Sequence, residues 1–268
     1  MTPFEFREKM KQGKLVQPTA GLCQGFVQAN VVILPQKYAE EFLVFCEQNA
    51  QACPVIASTR PGEVRFSKSV AKDSDIRYDL AKYRIFKQGV LQEKVLNDIS
   101  QIWQHDFVSF LIGCSFTFES ALMDAGLPLR HIDSGCNVSM YKTNIACKPK
   151  GVFSGNMVVS MRPFDRDVVE KVIEISSMYP KMHGAPVHIG SPEKIGIMDI
   201  NAPDFGDKVE IKEHEVPVFW GCGVTPQLAL VNARLPIAIT HSPGYMFITD
   251  IPEGKYRQKP VFNEDDAT

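Results

Sequence analysis

FVSFLIG, residues 107–113, runs directly into CSFTFESALMDAG, residues 114–126, and the change of pattern across that junction decides the fold class. The first stretch is a short continuous apolar run, as in a buried strand. The second places apolar residues at helical spacing and offers Gly126 as a stop. The same change recurs in VPVFWGCGVTPQLALVNA, residues 216–233, where an apolar strand meets a glycine-containing turn. There Thr225 and Pro226 suit the N-cap and first helical position. Two strand–turn–helix units predict an α/β protein with a parallel sheet.

Outward from these units, Phe26 to Leu34 reads as a strand ending at Pro35, and Tyr38 to Asn49 as a helix. Pro3 to Gln12 reads as a short helix before the turn-rich stretch Gly13 to Gln24. The polar stretch Arg60 to Lys82 reads as a surface excursion that ends in a hairpin around Gln88 and Gly89. NVSMYKTN, GNMVVSMRP and Arg166 to Met178 read as strand, strand and helix, and Leu235 to Ile239 as another strand. The expected architecture is a layered α/β core domain, residues 1–128 plus 190–268, with a smaller inserted α+β domain, residues 129–189. No repeat appears at a period of 20 to 50 residues.

Composition narrows the class. A chain of 268 residues can bury a large core without staples. Its seven cysteines are odd in number and mostly in apolar settings, which fits reduced thiols and a cytoplasmic protein. The start MTPFEFREKMKQGKL lacks the apolar run of a secretory signal, and no stretch suits a membrane span. A formal net charge of −2, with signs interspersed, gives no basic stripe for nucleic acid. The acidic tail QKPVFNEDDAT, residues 258–268, is expected to fray. GxGxxG and GxxxxGK[ST] patterns are missing, so no nucleotide cofactor is expected. His183 and His188 are not in HExxH spacing, and no metal is expected either. The expected partner is a small-molecule carboxylate, with no nucleic acid and no membrane; a homo-oligomer is allowed.

Candidate site residues cluster at the turns. Cys114, Ser115 and the first N–H groups of the following helix would face a crevice that favours an anion. The plainer reading is that Ser115 caps the helix and Cys114 packs. Glu119, in the first helical turn, suits a general acid or base, or merely complements the dipole. Gly221 and Gly223 would let the backbone approach a ligand, with the Thr225 hydroxyl beside them. His183, His188 and His241 sit in turns beside glycine or proline and would carry protons near neutral pH, or be ordinary loop histidines. Arg60, Arg130 and Arg162 stand at apparent ends of elements and would grip a carboxylate in bidentate fashion, or form surface ion pairs. His105 and His214 read as surface residues.

Taken in order, PTAGLCQGFVQANVVILP, FLIGCSFTFESALMDAGLPLRHI, NVSMYKTNI, FSGNMVVSMRP, HGAPVHIG, PDFGDKVE, EVPVFWGCGVTPQ and AITHSPGYMFITD resemble the D-glutamate cyclase-like hydro-lyases over nearly the whole chain. The resemblance implies a two-part α/β enzyme that adds or removes water on a small carboxylate, with D-glutamate cyclisation to 5-oxo-D-proline as the associated activity. Tyr245, Ser139 and Cys136 depart from the family pattern, which commonly has histidine, proline and arginine there. The residue inventory also admits a nucleophilic hydrolase or amidase using Cys114 or Ser115 with His241, and a non-catalytic carboxylate-binding protein.

Overall fold

A computed structural model describes residues 1–258. The acidic tail falls almost entirely outside the described residues. In chain order the elements are α1 (Pro3–Lys11), β1 (Phe26–Pro35), α2 (Ala39–Gln48), β2 (Val55–Ser58), β3 (Tyr83–Lys87), β4 (Val90–Leu91), β5 (Phe107–Gly113) and α3 (Phe116–Asp124). Then follow α4 (Arg130–Asp133), β6 (Ser139–Ala146), β7 (Asn156–Asp165), α5 (Val169–Ser177), β8 (His188–Ile189), β9 (Glu215–Gly221), α6 (Thr225–Ala233), β10 (Ala238–His241) and β11 (Phe247–Pro252). None of the described helices is long and apolar enough to cross a membrane.

The protein is α/β, built on two sheets. The first runs β2-β5-β1-β10-β3-β4, with β11 also paired to β1; the second runs β6-β7-β9-β8. Both strand–turn–helix units form, but every strand pairing among the described residues is antiparallel, which corrects the parallel expectation. The reason is an inserted strand. Strands β1 and β2, joined by α2, run in the same direction, yet β5 enters between them and pairs with both. Strands β7 and β8, joined through α5, are split by β9 in the same way. Each unit is therefore a split β-α-β arrangement rather than a neighbouring parallel pair.

The two units repeat each other. Ala29 to Pro35 pair with Gly113 to Phe107, and Val159 to Asp165 pair with Gly221 to Glu215, in matching registers. The Thr117 hydroxyl accepts from the Gln28 N–H (3.2 Å), and the Thr225 hydroxyl accepts from the Val158 N–H (3.0 Å) at the equivalent place. After its second strand each unit crosses to the other. Phe118 and Leu122 of α3, launched from the first sheet, pack with α5 on Val216, Val218 and Trp220 of the second. Ala229 and Leu230 of α6, launched from the second sheet, pack with α2 on Val32, Leu34 and Phe110 of the first. The next strands are exchanged as well: β6 joins β7 and β10 joins β1.

The opposite face of each sheet is covered by irregular chain. Phe66, Ile76 and Leu80 pack on Val31, Ile33 and Leu111, so the stretch expected to be a surface excursion is a core lid instead. Ile195, Ile197 and Val209 do the same for Val159, Met161 and Phe219. This follows from the strand sequences, whose two faces are both apolar and both need cover. A boundary at residue 190 would cut β9 from β7, its hydrogen-bonded neighbour. Gly126 takes φ +78° and ends α3, with the Leu127 N–H reaching back to Leu122 O (3.0 Å). Gln88 and Gly89, both at positive φ, make the β3–β4 hairpin turn.

Candidate active site

The two turns that leave β5 and β9 meet where the units cross. A Cβ on Gly223 would lie 2.0 Å from Asn30 Nδ2, and Asn30 in turn donates to Gly113 O (2.7 Å). A Cβ on Gly113 would lie 1.8 Å from Lys181 O, and one on Gly221 2.7 Å from Gln51 O. The glycines thus let the protein close on itself at these turns. The first amides of the two following helices are bonded locally as well: Thr117 N, Phe118 N and Thr225 N donate to Cys114 O, Ser115 O and Cys222 O.

At this junction lies a buried ionic cluster. Arg162, on the helix-bearing face of β7 and 1% exposed, sends Nε to Glu119 Oε1 (2.9 Å), Nη1 to Ser160 Oγ (3.1 Å) and Nη2 to Ser115 Oγ (2.9 Å). Its Nη2 also donates to the same Glu119 oxygen. On the other side His131 Nε2 stands 3.1 Å from Glu119 Oε1, with its ring stacked on Phe116. Burial works against the charged carboxylate. The Arg162 charge and its hydrogen bonds, with His131 beside the same oxygen, outweigh it and hold Glu119 below the usual carboxylate range. Arg162 is therefore committed to Glu119, Ser115 and Ser160 rather than waiting for a substrate carboxylate. Ser115 is the N-cap of α3, but its hydroxyl serves Arg162 and makes no capping bond.

Glu119 Oε2 has no hydrogen-bond partner among the described residues, and neither has Gln28 Oε1. Both residues border one small cavity of about 10 Å³ beneath the turn Gly21–Gln24. A far larger groove, about 940 Å³, lies at the other end of β1 beside Pro35, Lys37 and Trp103, away from the Gly113 and Gly221 turns. Size alone would favour that groove. The buried charges and the hydrogen-bond deficit favour the small cavity.

The structure brings together Cys114, Ser115, Glu119, Arg162, Gly221, Gly223 and Thr225, with His183 and His241 alongside. His183, at φ +67°, points Nδ1 at Gln51 O (2.9 Å), so that nitrogen carries the proton. His241 accepts from the Val31 N–H at Nδ1 (3.1 Å, against a longer 3.4 Å approach to Val31 O), and Gln227 Nε2 donates to its carbonyl. Burial pushes both imidazoles down to about 4. They are neutral at pH 7, which corrects the reading of them as carriers poised near neutrality. Burial pushes the Cys114 thiol well up and Cys222 up to about 11, so neither is a ready thiolate.

Three expected residues lie elsewhere. His188 is half-buried at an outer strand of the second sheet, with Nε2 on Ser191 O (2.8 Å). Arg60 is exposed. Arg130 pairs with Glu215 at the start of β9, about 20 Å of strand from the Gly221 turn. Asp165, His214 and Glu215 bring possible metal-ligand atoms within 4.8 Å of one another at that end, but Glu215 already carries Arg130. Sequence reading missed His131, Gln28, Asn30 and Ser160. Gln28 and Asn30 did leave a signal: two amides at alternate positions in an otherwise apolar strand must both face one side.

The family model described as D-glutamate cyclase matches residues 108–250. A relative from Clostridium beijerinckii is 51% identical over 93% of this chain and 95% of its own. One from Bacillus licheniformis is 52% identical over 96% and 97%, and YcsI of Bacillus subtilis 51% over 94% and 97%. All three carry the name "Putative hydro-lyase".

Proposed function

The chain belongs to the D-glutamate cyclase family, and from that premise we propose that it cyclises a small amino dicarboxylate, D-glutamate to 5-oxo-D-proline, with release of water. The observation that carries this reading is the buried Glu119 carboxylate, with one oxygen committed to Arg162 and the other free at a cavity.

In the reaction the α-nitrogen attacks the γ-carboxyl carbon, a C–N bond forms and a C–O bond breaks. The ammonium nitrogen loses two protons and the departing oxygen gains two, so the balance closes with one water and no other reactant. A single carboxylate that accepts from nitrogen, gives to oxygen and is then reset can make both transfers. Glu119 Oε2 suits that duty. Arg162 and His131 favour its return to the ionised form, and Ser115 and Ser160 fix the guanidinium that does this. The cavity holds only a small group, so the rest of the substrate requires the Gly21–Gln24 turn to yield.

The hydrolase alternative lacks support in the site. Cys114 is held as a thiol, and Ser115 Oγ accepts from Arg162 rather than meeting an imidazole. The deciding experiment incubates the purified protein with D- and L-amino dicarboxylates and hydroxy acids and follows the loss of water by mass spectrometry. Product from D-glutamate with wild type, and none with Glu119→Gln, is expected. Equal product from both proteins would remove Glu119 from the mechanism, and no product from wild type would remove the cyclase reading.

A further inference from the structure

Two residues that border one small space each keep an unpaired buried acceptor. Glu119 and Gln28 are 1% and 4% exposed, and Glu119 Oε2 and Gln28 Oε1 are both without a partner. The Gln28 amide cannot be turned to solve this. Its Nε2 donates to Thr19 O (2.9 Å) and Leu22 O (3.1 Å), which fixes the oxygen as the atom left over. Glu119 is fixed by Arg162 on its other oxygen. The Ser120 hydroxyl, which also borders the space, is turned to Glu253 Oε2 (2.7 Å) and is not the missing donor. Buried acceptors are rarely left unpaired, and about 10 Å³ admits one group the size of a water or an ammonium.

We infer that this cavity is a donor-only subsite for the α-ammonium group of the substrate, with Gln28 as the residue that selects amino acids over their hydroxy and unsubstituted analogues. The inference rests on the cyclase reading and narrows it. An ammonium brings three donors, no acceptor and a charge that matches Glu119. A hydroxyl brings one donor and no charge, and a methylene brings neither.

The test measures affinity of the full-length protein for D-glutamate, 2-hydroxyglutarate and glutarate by calorimetry, for wild type and Gln28→Met, which keeps the bulk and removes the acceptor. Wild type is expected to prefer D-glutamate to glutarate by about tenfold to a hundredfold, the range for a hydrogen bond to a charged group. Gln28→Met is expected to shrink that ratio severalfold while glutarate binding holds. Should Gln28→Met not fold, wild type alone decides: methylammonium chloride is expected to raise the melting temperature above that seen in tetramethylammonium chloride at equal ionic strength. Equal effects of the two salts, or an unchanged ratio in Gln28→Met, would overturn the subsite. A protein that prefers the amine yet releases no water from D-glutamate keeps the subsite and loses the cyclase reading. One that turns over D-glutamate with its ratio unaltered by Gln28→Met does the reverse.

Discussion

Arg162 of the second sheet donates to Glu119 on the helix launched from the first, so one buried ion pair ties the two units together. Removing one partner leaves an uncompensated charge. Arg162→Met should therefore cost about 3–5 kcal/mol in urea unfolding. The double variant with Glu119→Gln should recover part of that loss, with a coupling above about 1 kcal/mol. Additive losses would mean the pair contributes nothing as a pair.

On activity, Glu119→Gln should lower turnover about 100- to 10,000-fold while unfolding remains cooperative. His105→Ala, His214→Ala, His188→Ala, Arg60→Lys and Arg130→Lys should each leave turnover within about twofold, because none reaches the cluster. A tenfold effect from any of these five in steady-state kinetics would place the reaction elsewhere.

His183 and His241 set an acid limit on stability. Each is held neutral in the fold, with its imidazole lowered from 6.5 to about 4, so the unfolded chain binds the extra protons. Their contribution is full above pH 6.5 and is lost as pH falls toward 4, on the order of 3 kcal/mol for each. The difference in unfolding free energy between wild type and His183→Asn should accordingly shrink between pH 7.5 and pH 4.5. A constant difference would mean that His183 is not buried neutral.

Asp79 acts with the opposite sign. Burial raises its carboxyl to about 7, against the pull of Lys11 at 3.6 Å, so the folded state favours the protonated form and loses stability as pH rises from 4 through 7. Asp79→Asn should stabilise by about 1 kcal/mol or more at pH 8 and by much less at pH 5. Melting curves at the two pH values check it, and a larger gain at pH 5 would reverse the assignment.

Gly113→Ala should destabilise by about 3 kcal/mol, because its new methyl would sit 1.8 Å from the Lys181 carbonyl and one backbone must move. The loss should appear in thermal unfolding even with the Glu119 cluster intact. A variant as stable as wild type would mean that the turn has room to spare.

The elements of the fold were legible because strand and helix periods change sharply at Gly113 and Gly221. Their pairing was not. A continuous apolar strand fits any partner direction, and the strand that splits each β-α-β arrangement arrives from tens of residues away. The repeat hides for a related reason: GCSFTFE and GCGVTPQ share Gly, Cys and Thr, but the copies lie more than 100 residues apart and keep register rather than residues. At the site, Glu119, Ser115 and Arg162 were legible as types that do chemistry. Which of them was already spoken for was not, since only the folded arrangement shows Arg162 donating to Glu119, Ser115 and Ser160. His131 passed as the neighbour of Arg130 because nothing in LRHID marks its ring as enclosed.

The exchange of β6 and β10 between the units bears on how the chain folds. Neither unit can finish its own sheet: β1 waits for β10, made more than 200 residues later, and β7 is flanked by β6, supplied by the chain that leaves α3. Such distant contacts slow folding and leave little chance of a stable half-protein on the way. The native state should therefore melt in one cooperative transition. A fragment ending near residue 128, left with an open β1 edge, should recruit strands from other chains and aggregate.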